Sequence, residues 1–218
     1  MEIASRQGGG ADISLEDLAR EIASRHWSRL FIVAIVGAPG SGKSTKTEAL
    51  QSLLSWKYGV KTQILPMDGF HYDNQVLKEL DLLAKKGAPE TFDVGGLEAI
   101  IKRLSESQEQ AVAVPVFDRE ADLARAGGRI VHADTQVLLV EGNYLLLRSE
   151  PWVRLHRYFD LTVMLACNED VLRSRLMQRW LDLSYSKDQA SQKIESNDLP
   201  NARRVLAETI PTDFTLVS

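Results

Sequence analysis

The sequence predicts an α/β protein in which a mainly parallel sheet lies between two layers of helices. Short apolar runs alternate with amphipathic segments along the chain, which is typical of strands that alternate with helices. The runs Leu30–Val36 and Val137–Val140 are apolar throughout. Strands that have no polar face belong in a parallel sheet that helices cover on both sides.

The strands are predicted from short runs of apolar and β-branched residues that turn residues separate. Pro115 lies inside the third run, which indicates an edge position or a strand end for that strand. In chain order, the predicted strands are Leu30–Val36, Val60–Met67, Ala111–Phe117, Val137–Val140, Leu161–Leu165 and Phe214–Val217.

The helices are predicted from apolar periodicity and from signals at their ends. Ser14 with Asp17 resembles a capping box, Asn168 is a typical N-cap, and Gly59 and Gly87 each follow a helix. The first predicted helix begins at Ser14, and the fourth carries an apolar stripe through Leu97, Ile100, Ile101 and Leu104. The other predicted helices cover about Lys43–Tyr58, Asp73–Lys86, Asn168–Trp180, Lys187–Glu195 and Leu199–Ala207.

The composition describes an ordinary globular chain. Of the 218 residues, 26% are charged and 44% are hydrophobic, which excludes a disordered chain, a collagen and a small disulfide scaffold. The net charge of −4 gives no basic field for nucleic acid, and no apolar run approaches the roughly 20 residues of a membrane helix. Cys167 is the single cysteine, so we expect a reducing cytoplasm. We also expect a flexible tail over residues 1–11 and one domain over residues 12–218.

The strongest motif is a glycine-rich turn between the first strand and the second helix. It fits the pattern G-x-x-x-x-G-K-[ST] at every fixed position, and we call Gly37–Ser44 the phosphate loop. Its glycines let successive N–H groups face one centre, while Lys43 can reach the β- and γ-phosphates and Ser44 can offer its hydroxyl to Mg²⁺. The predicted nucleotide-binding residues are Gly37, Ala38, Pro39, Gly40, Ser41, Gly42, Lys43, Ser44 and Thr45.

A first acid lies where the second predicted strand ends. Asp68 follows Val60–Met67, and ligands of open α/β sheets bind at the carboxyl ends of the strands. A carboxylate there can accept a proton from a hydroxyl that attacks the γ-phosphate, or it can simply cap a turn. In the same loop, His71 and Tyr72 are candidates for substrate contact.

A second acid, Glu141, directly follows the apolar strand Val137–Val140. This position is similar to that of a Walker B acid. Glu141 can support Mg²⁺ together with Ser44, or orient a substrate group. The alternative is an acidic cap at a strand end.

A basic segment, Val171–Trp180, carries Arg173, Arg175 and Arg179 and no acid. Arginines stabilise the charge that spreads over a transferring phosphoryl group, and a cationic helix that closes over the site also excludes water. Of the three, we favour Arg175 for this catalytic contact. The alternative is a solvated charged face.

Missing motifs narrow the class of phosphate-loop protein. The sequence has no N-K-x-D block of a GTPase and no L-S-G-G-Q-like block of an ABC-type ATPase. Small-molecule kinases need only an acid near the acceptor hydroxyl, an acid that supports Mg²⁺ and a basic lid. An ATP-binding regulatory protein and an ATP hydrolase stay open as alternatives.

Five blocks, in this order, resemble the uridine kinase, phosphoribulokinase and pantothenate kinase family. They are the phosphate loop, Pro66–His71, Ala88–Asp93, Pro115–Arg119 and Val140–Tyr144. The compact length and the segments Glu141–Leu145 and Asn197–Asn201 are more similar to the fructose transport system kinases. The resemblance covers about residues 30–217 and places Asn197 and Asn201 near the adenine.

The resemblance implies a P-loop NTPase three-layer sandwich with a five-stranded sheet of order 2-3-1-4-5 and a helical lid at about 168–200. It implies that ATP and Mg²⁺ serve transfer to a hydroxyl of a sugar, a nucleoside or a pantothenate-like acceptor. The family's catalytic aspartate matches Asp68 and its strand-end glutamate matches Glu141, while Asp118 and Arg119 match acceptor contacts. The resemblance is also compatible with a homodimer.

Overall fold

The computed structural model describes residues 9–106 and 109–217 and confirms the α/β class. In the described ranges, the strands are β1 (Ala11–Ile13), β2 (Phe31–Val36), β3 (Thr62–Pro66), β4 (Ala111–Asp118), β5 (Leu123–His132), β6 (Val137–Gly142), β7 (Leu161–Leu165) and β8 (Phe214–Leu216). The α-helices are α1 (Leu15–Ser24), α2 (Lys43–Tyr58), α3 (Asn74–Glu79), α4 (Val94–Glu106), α5 (Glu169–Asp182), α6 (Lys187–Lys193) and α7 (Leu199–Glu208).

The central sheet has six parallel strands in the order β1-β8-β7-β2-β6-β3. Without β1, and read from the other edge, the order is β3-β6-β2-β7-β8. If these five strands are numbered 1 to 5 along the chain, this is the order 2-3-1-4-5, so the predicted strand order is confirmed. The predicted number of five strands is wrong by one, because β1 adds an edge strand beside β8. Only three residues form β1, and the sequence Ala-Asp-Ile gives no apolar run that could have indicated it.

Both faces of the sheet are covered, as the apolar strands predict. Along β2, Ile32 and Val36 face a cluster that includes Leu97 of α4, whereas Val33 and Ile35 face a cluster with α1 and α2. Every one of these five side chains is almost completely buried. Alternate residues of one strand thus anchor helices on opposite sides, and the strand ends stay in fixed positions.

A separate antiparallel ribbon, β4 with β5, lies beside the sheet. The predicted strand at Ala111–Phe117 is its first half, and the pairing shifts register across Pro115. The second half went unpredicted because β5 is mostly exposed and carries Gly127 and Gly128 within it. The ribbon contacts the turn after β3 so closely that a Cβ on Gly69 would lie 2.5 Å from the Pro115 carbonyl oxygen.

The third predicted helix is much shorter than expected. Instead of Asp73–Lys86, α3 ends at Glu79, Asp81 adopts a left-handed φ of 55°, and a 3-10 turn follows. Within α3 only Leu77 is buried, so no apolar stripe continues to hold the segment against the core.

The basic segment begins α5 as predicted, with the Asn168 side chain accepting from the N–H of Asp170. After α6 the chain forms a π-helix at Ile194–Asp198 and then α7. Leu172 and Leu176 of α5 pack with Ala38 of the phosphate loop in a third apolar cluster. We use the name lid for α5, α6, the π-helix and the start of α7, which lie in the range 168–200, and their closing over the site stays a prediction.

The division into a tail over 1–11 and a domain over 12–218 stays a prediction. Residues 1–8 lie outside the described residues, and Ala11 is the first residue of β1. Among the described helices, none is long and apolar enough to cross a membrane.

Candidate functional site

Three neighbouring strands bring the predicted site residues to one edge of the sheet. The phosphate loop follows β2, Asp68 lies in the 3-10 turn after β3, and Glu141 is near the end of β6. Glu141 is in register with Ile35 of β2 and with Pro66 of β3. Backbone pairing between the strands therefore fixes the spacing of these groups.

The phosphate loop has the conformation that its sequence predicts. Gly40 and Gly42 have φ angles of 78° and 90°, which favour glycine, and a Cβ on Gly37 would lie 2.9 Å from Ser41 Oγ. Gly42 precedes α2 without a side-chain cap, so the first N–H groups of this helix are free to bind an anion. Ser41 Oγ is buried and has no hydrogen-bond partner among the described residues, which fits a loop built for a phosphate oxygen.

Lys43, Ser44 and Glu141 form the polar centre of the site. Lys43 is buried and its Nζ donates to the Ala38 carbonyl at 3.1 Å, while Ser44 Oγ donates to Glu141 Oε1 at 3.2 Å. Burial lowers the pKa of Lys43, an effect that Glu141 and Asp68 oppose. Burial, followed by the charge of Asp68, raises the pKa of Glu141, whereas Lys43 and the Ser44 bond oppose that rise.

The donor set of Ser44 and Glu141 suits a magnesium ion. Mg²⁺ prefers oxygen ligands and is usually held by one or two protein groups together with substrate phosphates. Within the described part of the chain, no three His, Cys, Asp or Glu side chains are placed to hold a metal ion by themselves. The oxygens of Ser44 and Glu141 are the residues present that fit such an ion.

Asp68 is linked to the ribbon through an ion pair. Arg119, which follows β4, places its Nη2 at 3.1 Å from Asp68 Oδ2. Both side chains keep part of their surface open, and both line the two cavities described next.

Two adjoining cavities meet at the strand ends. The first cavity, of about 410 Å³, is lined by the phosphate loop together with Glu141. The second cavity, of about 530 Å³, extends between the ribbon and the lid and is lined by His71 and Phe117 among others. Asp68, Arg119 and Arg179 line both, so they form the boundary between the two spaces.

The three lid arginines lie in different surroundings. Arg175 donates from Nη1 to the Ser41 carbonyl at 2.8 Å, so it contacts the phosphate loop without lining either cavity. Arg173 forms an ion pair with Glu195 on the lid itself. Only Arg179, among these three, lines the cavities.

Of the other residues predicted to contact the substrate, some line a cavity and others do not. His71 lines the second cavity, with its ring 4.0 Å from that of Phe92, and burial lowers its pKa. Asp118 instead pairs with Arg125 across the ribbon at 3.3 Å. Neither Tyr72 nor Asp118 is one of the described residues that line the two cavities.

The model of the phosphoribulokinase/uridine kinase family matches residues 32–200. The chain belongs to this family. It is accordingly a kinase, a phosphotransferase that acts on the hydroxyl group of a small molecule.

Individual relatives agree with this membership. A proposed fructose transport system kinase from Silicibacter sp. TM1040 is 38% identical, with a TM-score of 0.87 over 93% of this chain and 98% of that one. A proposed uridine kinase of Schizosaccharomyces pombe is 29% identical over 199 residues, which are 88% of this chain and 84% of that protein. The pantothenate kinase of Ligilactobacillus salivarius is 31% identical over 153 residues, 69% of this chain but only 49% of that protein.

Several residues of this kinase that line the second cavity had no signal in the sequence. Lys86 and Lys193 carry no motif, and the sequence could not assign them a role. Asn197 and Asn201 line the second cavity, where Asn197 Nδ2 donates to the Lys86 carbonyl at 3.0 Å. Their position near the adenine stays a prediction from the resemblance. Asn143 lines both cavities and lies within the resemblance block Val140–Tyr144, which could have indicated it.

Proposed function

We propose that this kinase transfers the γ-phosphate of ATP to a hydroxyl of a sugar, a nucleoside or a pantothenate-like acceptor, with Asp68 as the general base. The observation that carries the proposal is the position of Asp68 on the boundary of the two cavities. A phosphate in the first cavity and a hydroxyl in the second would meet beside this carboxylate.

The nucleotide phosphates would lie in the phosphate loop. Its backbone N–H groups, Lys43 and the orphaned Ser41 hydroxyl supply donors for phosphate oxygens. Ser44 and Glu141 would hold Mg²⁺, which neutralises charge on the phosphates when it is bound. Lys43 Nζ donates one of its three N–H bonds to the Ala38 carbonyl, so two further donors can reach phosphate oxygens when ATP binds.

Asp68 and Arg179 would act on the transfer itself. The Asp68 carboxylate accepts the proton of the acceptor hydroxyl while the hydroxyl oxygen bonds to the γ-phosphorus and the bond to ADP breaks. Arg179 faces the same boundary and stabilises the charge on the transferring group. The proposal therefore gives Arg179 the catalytic contact that the sequence favoured for Arg175.

The test is ADP release from Mg-ATP across a panel of acceptors, with the variant Asp68→Asn. Asp68→Asn is expected to lower kcat at least ~10²-fold, while a nonhydrolysable ATP analogue binds with unchanged affinity. Asp118→Asn is the matched control, because it removes a neighbouring carboxylate that does not line either cavity. It should keep nearly full activity.

Other outcomes would support the alternatives. Release of ADP at the same rate without any acceptor would indicate an ATP hydrolase. Tight binding of ATP with no acceptor-stimulated release would indicate an ATP-binding regulatory protein. Full activity in Asp68→Asn would contradict the role of Asp68 as the base.

Location and assembly are part of the same proposal. We place the reaction in the cytoplasm because Cys167 is the single cysteine of the sequence and is buried as a thiol. A homodimer remains a proposal from the resemblance, and light scattering of the purified chain would decide it.

A further inference from the structure

The wall of the second cavity opposite the ribbon is formed by the lid, at the point where its helix is irregular. Between α6 and α7, the N–H of Leu199 bonds to the Ile194 carbonyl in the i+5 pattern of a π-helix. Such widened turns are frequent at functional sites. Here the widened turn and its neighbours place Lys193, Asn197 and Asn201 on the cavity wall.

The Lys193 ammonium lies over two aromatic rings. Its Nζ is 4.8 Å from the ring centre of Trp180 and 5.3 Å from that of Tyr185, and the two rings meet edge to face. These contacts fix the ammonium at the cavity wall and use the ring faces rather than its hydrogen-bond donors. Among the described residues, no carboxylate lies within ion-pair distance of Lys193.

Other cations of the second cavity are already paired. Lys86 Nζ donates to Asn74 Oδ1 and to the Asp122 carbonyl, each at 2.7 Å, and lies 3.0 Å from the Asp122 carboxylate. Arg119 is paired with Asp68. These two cations have the partners that a charged group needs, and they hold the α3 region and the ribbon in place.

Arg179 and Lys193 are the cavity-lining cations for which the described residues supply no ion-pair partner. Arg179 borders the first cavity, and under the proposed function its guanidinium binds the transferring phosphoryl group. Lys193 lines only the second cavity. The acid beside them, Asp198, accepts the indole N–H of Trp180 at 2.7 Å. Burial raises the pKa of Asp198, and the Trp180 bond and the charges of Arg179 and Lys193 oppose that rise.

We infer that the acceptor carries an anionic group, a carboxylate or a phosphate ester, which Lys193 binds while the reacting hydroxyl lies at Asp68. The inference rests on the proposed function and narrows its acceptor class. The amides of Asn197 and Asn201 lie on the same wall and can donate to or accept from the rest of the acceptor. Lys193 is thus a specificity-determining residue that does not touch the reacting atoms.

Matched pairs of acceptors test the inference, because the members of each pair differ mainly in charge. Suitable pairs are D-glycerate with glycerol, pantothenate with pantothenyl alcohol, and fructose 6-phosphate with fructose. The anionic member of the pair that reacts is expected to have a kcat/KM at least ~10-fold higher. Carboxylate and phosphate probes in separate arms identify which anion is used.

Variants of Lys193 test which group reads the charge. Lys193→Met is expected to raise the acceptor KM at least ~10-fold and to leave kcat and the KM for ATP within about twofold, and Lys193→Arg should restore much of the loss. Lys187→Met, on the exposed start of the same helix, is the matched control. A preference for the neutral member, or an unchanged acceptor KM, overturns the inference. A changed KM for ATP alone also overturns it, because the lysine would then belong to the nucleotide.

A binding measurement decides the inference even if no panel member is phosphorylated. With a nonhydrolysable ATP analogue and Mg²⁺ in the phosphate loop, calorimetry measures the binding of inorganic phosphate and of D-glycerate. Binding of either probe that weakens at least ~10-fold in Lys193→Met, but not in Lys187→Met, supports the inference. Binding that does not depend on Lys193, or no binding, overturns it.

The two proposals can fail separately. Loss of acceptor-stimulated, Asp68-dependent turnover defeats the proposed function. Turnover that prefers neutral acceptors defeats only the inference about charge. If Lys193→Met lowers the unfolding temperature, Lys193→Gln replaces it in both experiments, because glutamine keeps a polar side chain of similar length.

Discussion

The guanidinium of Arg175 donates a hydrogen bond of 2.8 Å to the backbone carbonyl of Ser41. A Cβ on Gly42 would lie only 3.3 Å from the same nitrogen, so Arg175 packs directly on the phosphate loop. Arg179, one turn further along α5, lines both cavities instead. Two arginines of one helix are thus expected to serve different steps.

Substitution of these two arginines should give opposite kinetic profiles. Arg175→Ala removes the hydrogen bond that holds the Ser41 carbonyl of the phosphate loop. We therefore expect a KM for ATP about tenfold higher and a lower unfolding temperature. Arg179→Ala is expected to lower kcat at least ~10²-fold, because it removes charge stabilisation of the transferring group. Steady-state kinetics with calorimetric binding of an ATP analogue measure both effects. The same profile in both variants would contradict the assignment.

The Ser44–Glu141 pair predicts that a change at Glu141 raises the Mg²⁺ concentration that the enzyme needs. Glu141→Gln keeps an oxygen that can accept from Ser44 but removes the negative charge. We expect the Mg²⁺ concentration for half-maximal activity to rise roughly 10-fold or more, in the range seen when groups around a metal are altered. Titration of activity with Mg²⁺ at saturating ATP measures this, and the exposed Glu79→Gln serves as control. An unchanged magnesium requirement would exclude Glu141 from the site.

The half-buried ring of His71 predicts a pH-dependent stability. Burial lowers the pKa of His71 in the folded chain, so below the unfolded value of about 6.5 the unfolded chain binds a proton that the folded chain does not. The lowered pKa therefore contributes to the free energy of unfolding. That contribution is fully present above about pH 6.5 and is lost as the pH falls through the lowered folded pKa. Wild type should therefore lose more thermal stability than His71→Gln between about pH 7.5 and about pH 5.

The control for His71 is the exposed His132. His132→Gln should follow the wild-type curve of unfolding temperature against pH. If wild type and His71→Gln lose stability equally on acidification, His71 has no part in the pH dependence.

Tyr144 links the core to the wall of the second cavity. Its fully buried ring packs edge to face on Phe92, and its hydroxyl donates to the Gly87 carbonyl at 2.5 Å. Tyr144→Phe leaves that carbonyl without this donor, so the free energy of unfolding should fall by about 1 kcal/mol. Urea denaturation measures the change. Tyr158→Phe, whose hydroxyl contacts exposed Arg157, should change stability by less than about half of that.

Local signals in the sequence predicted the fold well where the relevant interactions are local. Gly59 ends α2 with a left-handed φ of 68°, and Asn168 caps α5, because both signals act within one helical turn. The ribbon strand β5 and the early end of α3 escaped prediction. Each depends on what packs against it: β5 is held by pairing with β4, and Asp81 ends a helix that buries only Leu77.

The site shows the same division between local and long-range causes. The phosphate loop and Asp68 follow strands and could be placed from the sequence. Adjacent Asp118 and Arg119 could not be distinguished, because neighbouring residues at a strand end point to opposite sides, one toward Arg125 and the other toward Asp68. Lys193 ends α6, and its place on the cavity wall goes with long-range contacts to Trp180 and Tyr185 that the sequence does not reveal.

The register of Glu141 with Ile35 and Pro66 has a consequence for how such an enzyme can change. Under the proposed function, the groups that would bind phosphate share one backbone-bonded edge, whereas the acceptor would lie between the ribbon and the lid. Mutations in those outer parts can retune what is phosphorylated without disturbing how the phosphoryl group is moved. Natural selection can therefore diversify the substrates of this scaffold while its chemistry is conserved.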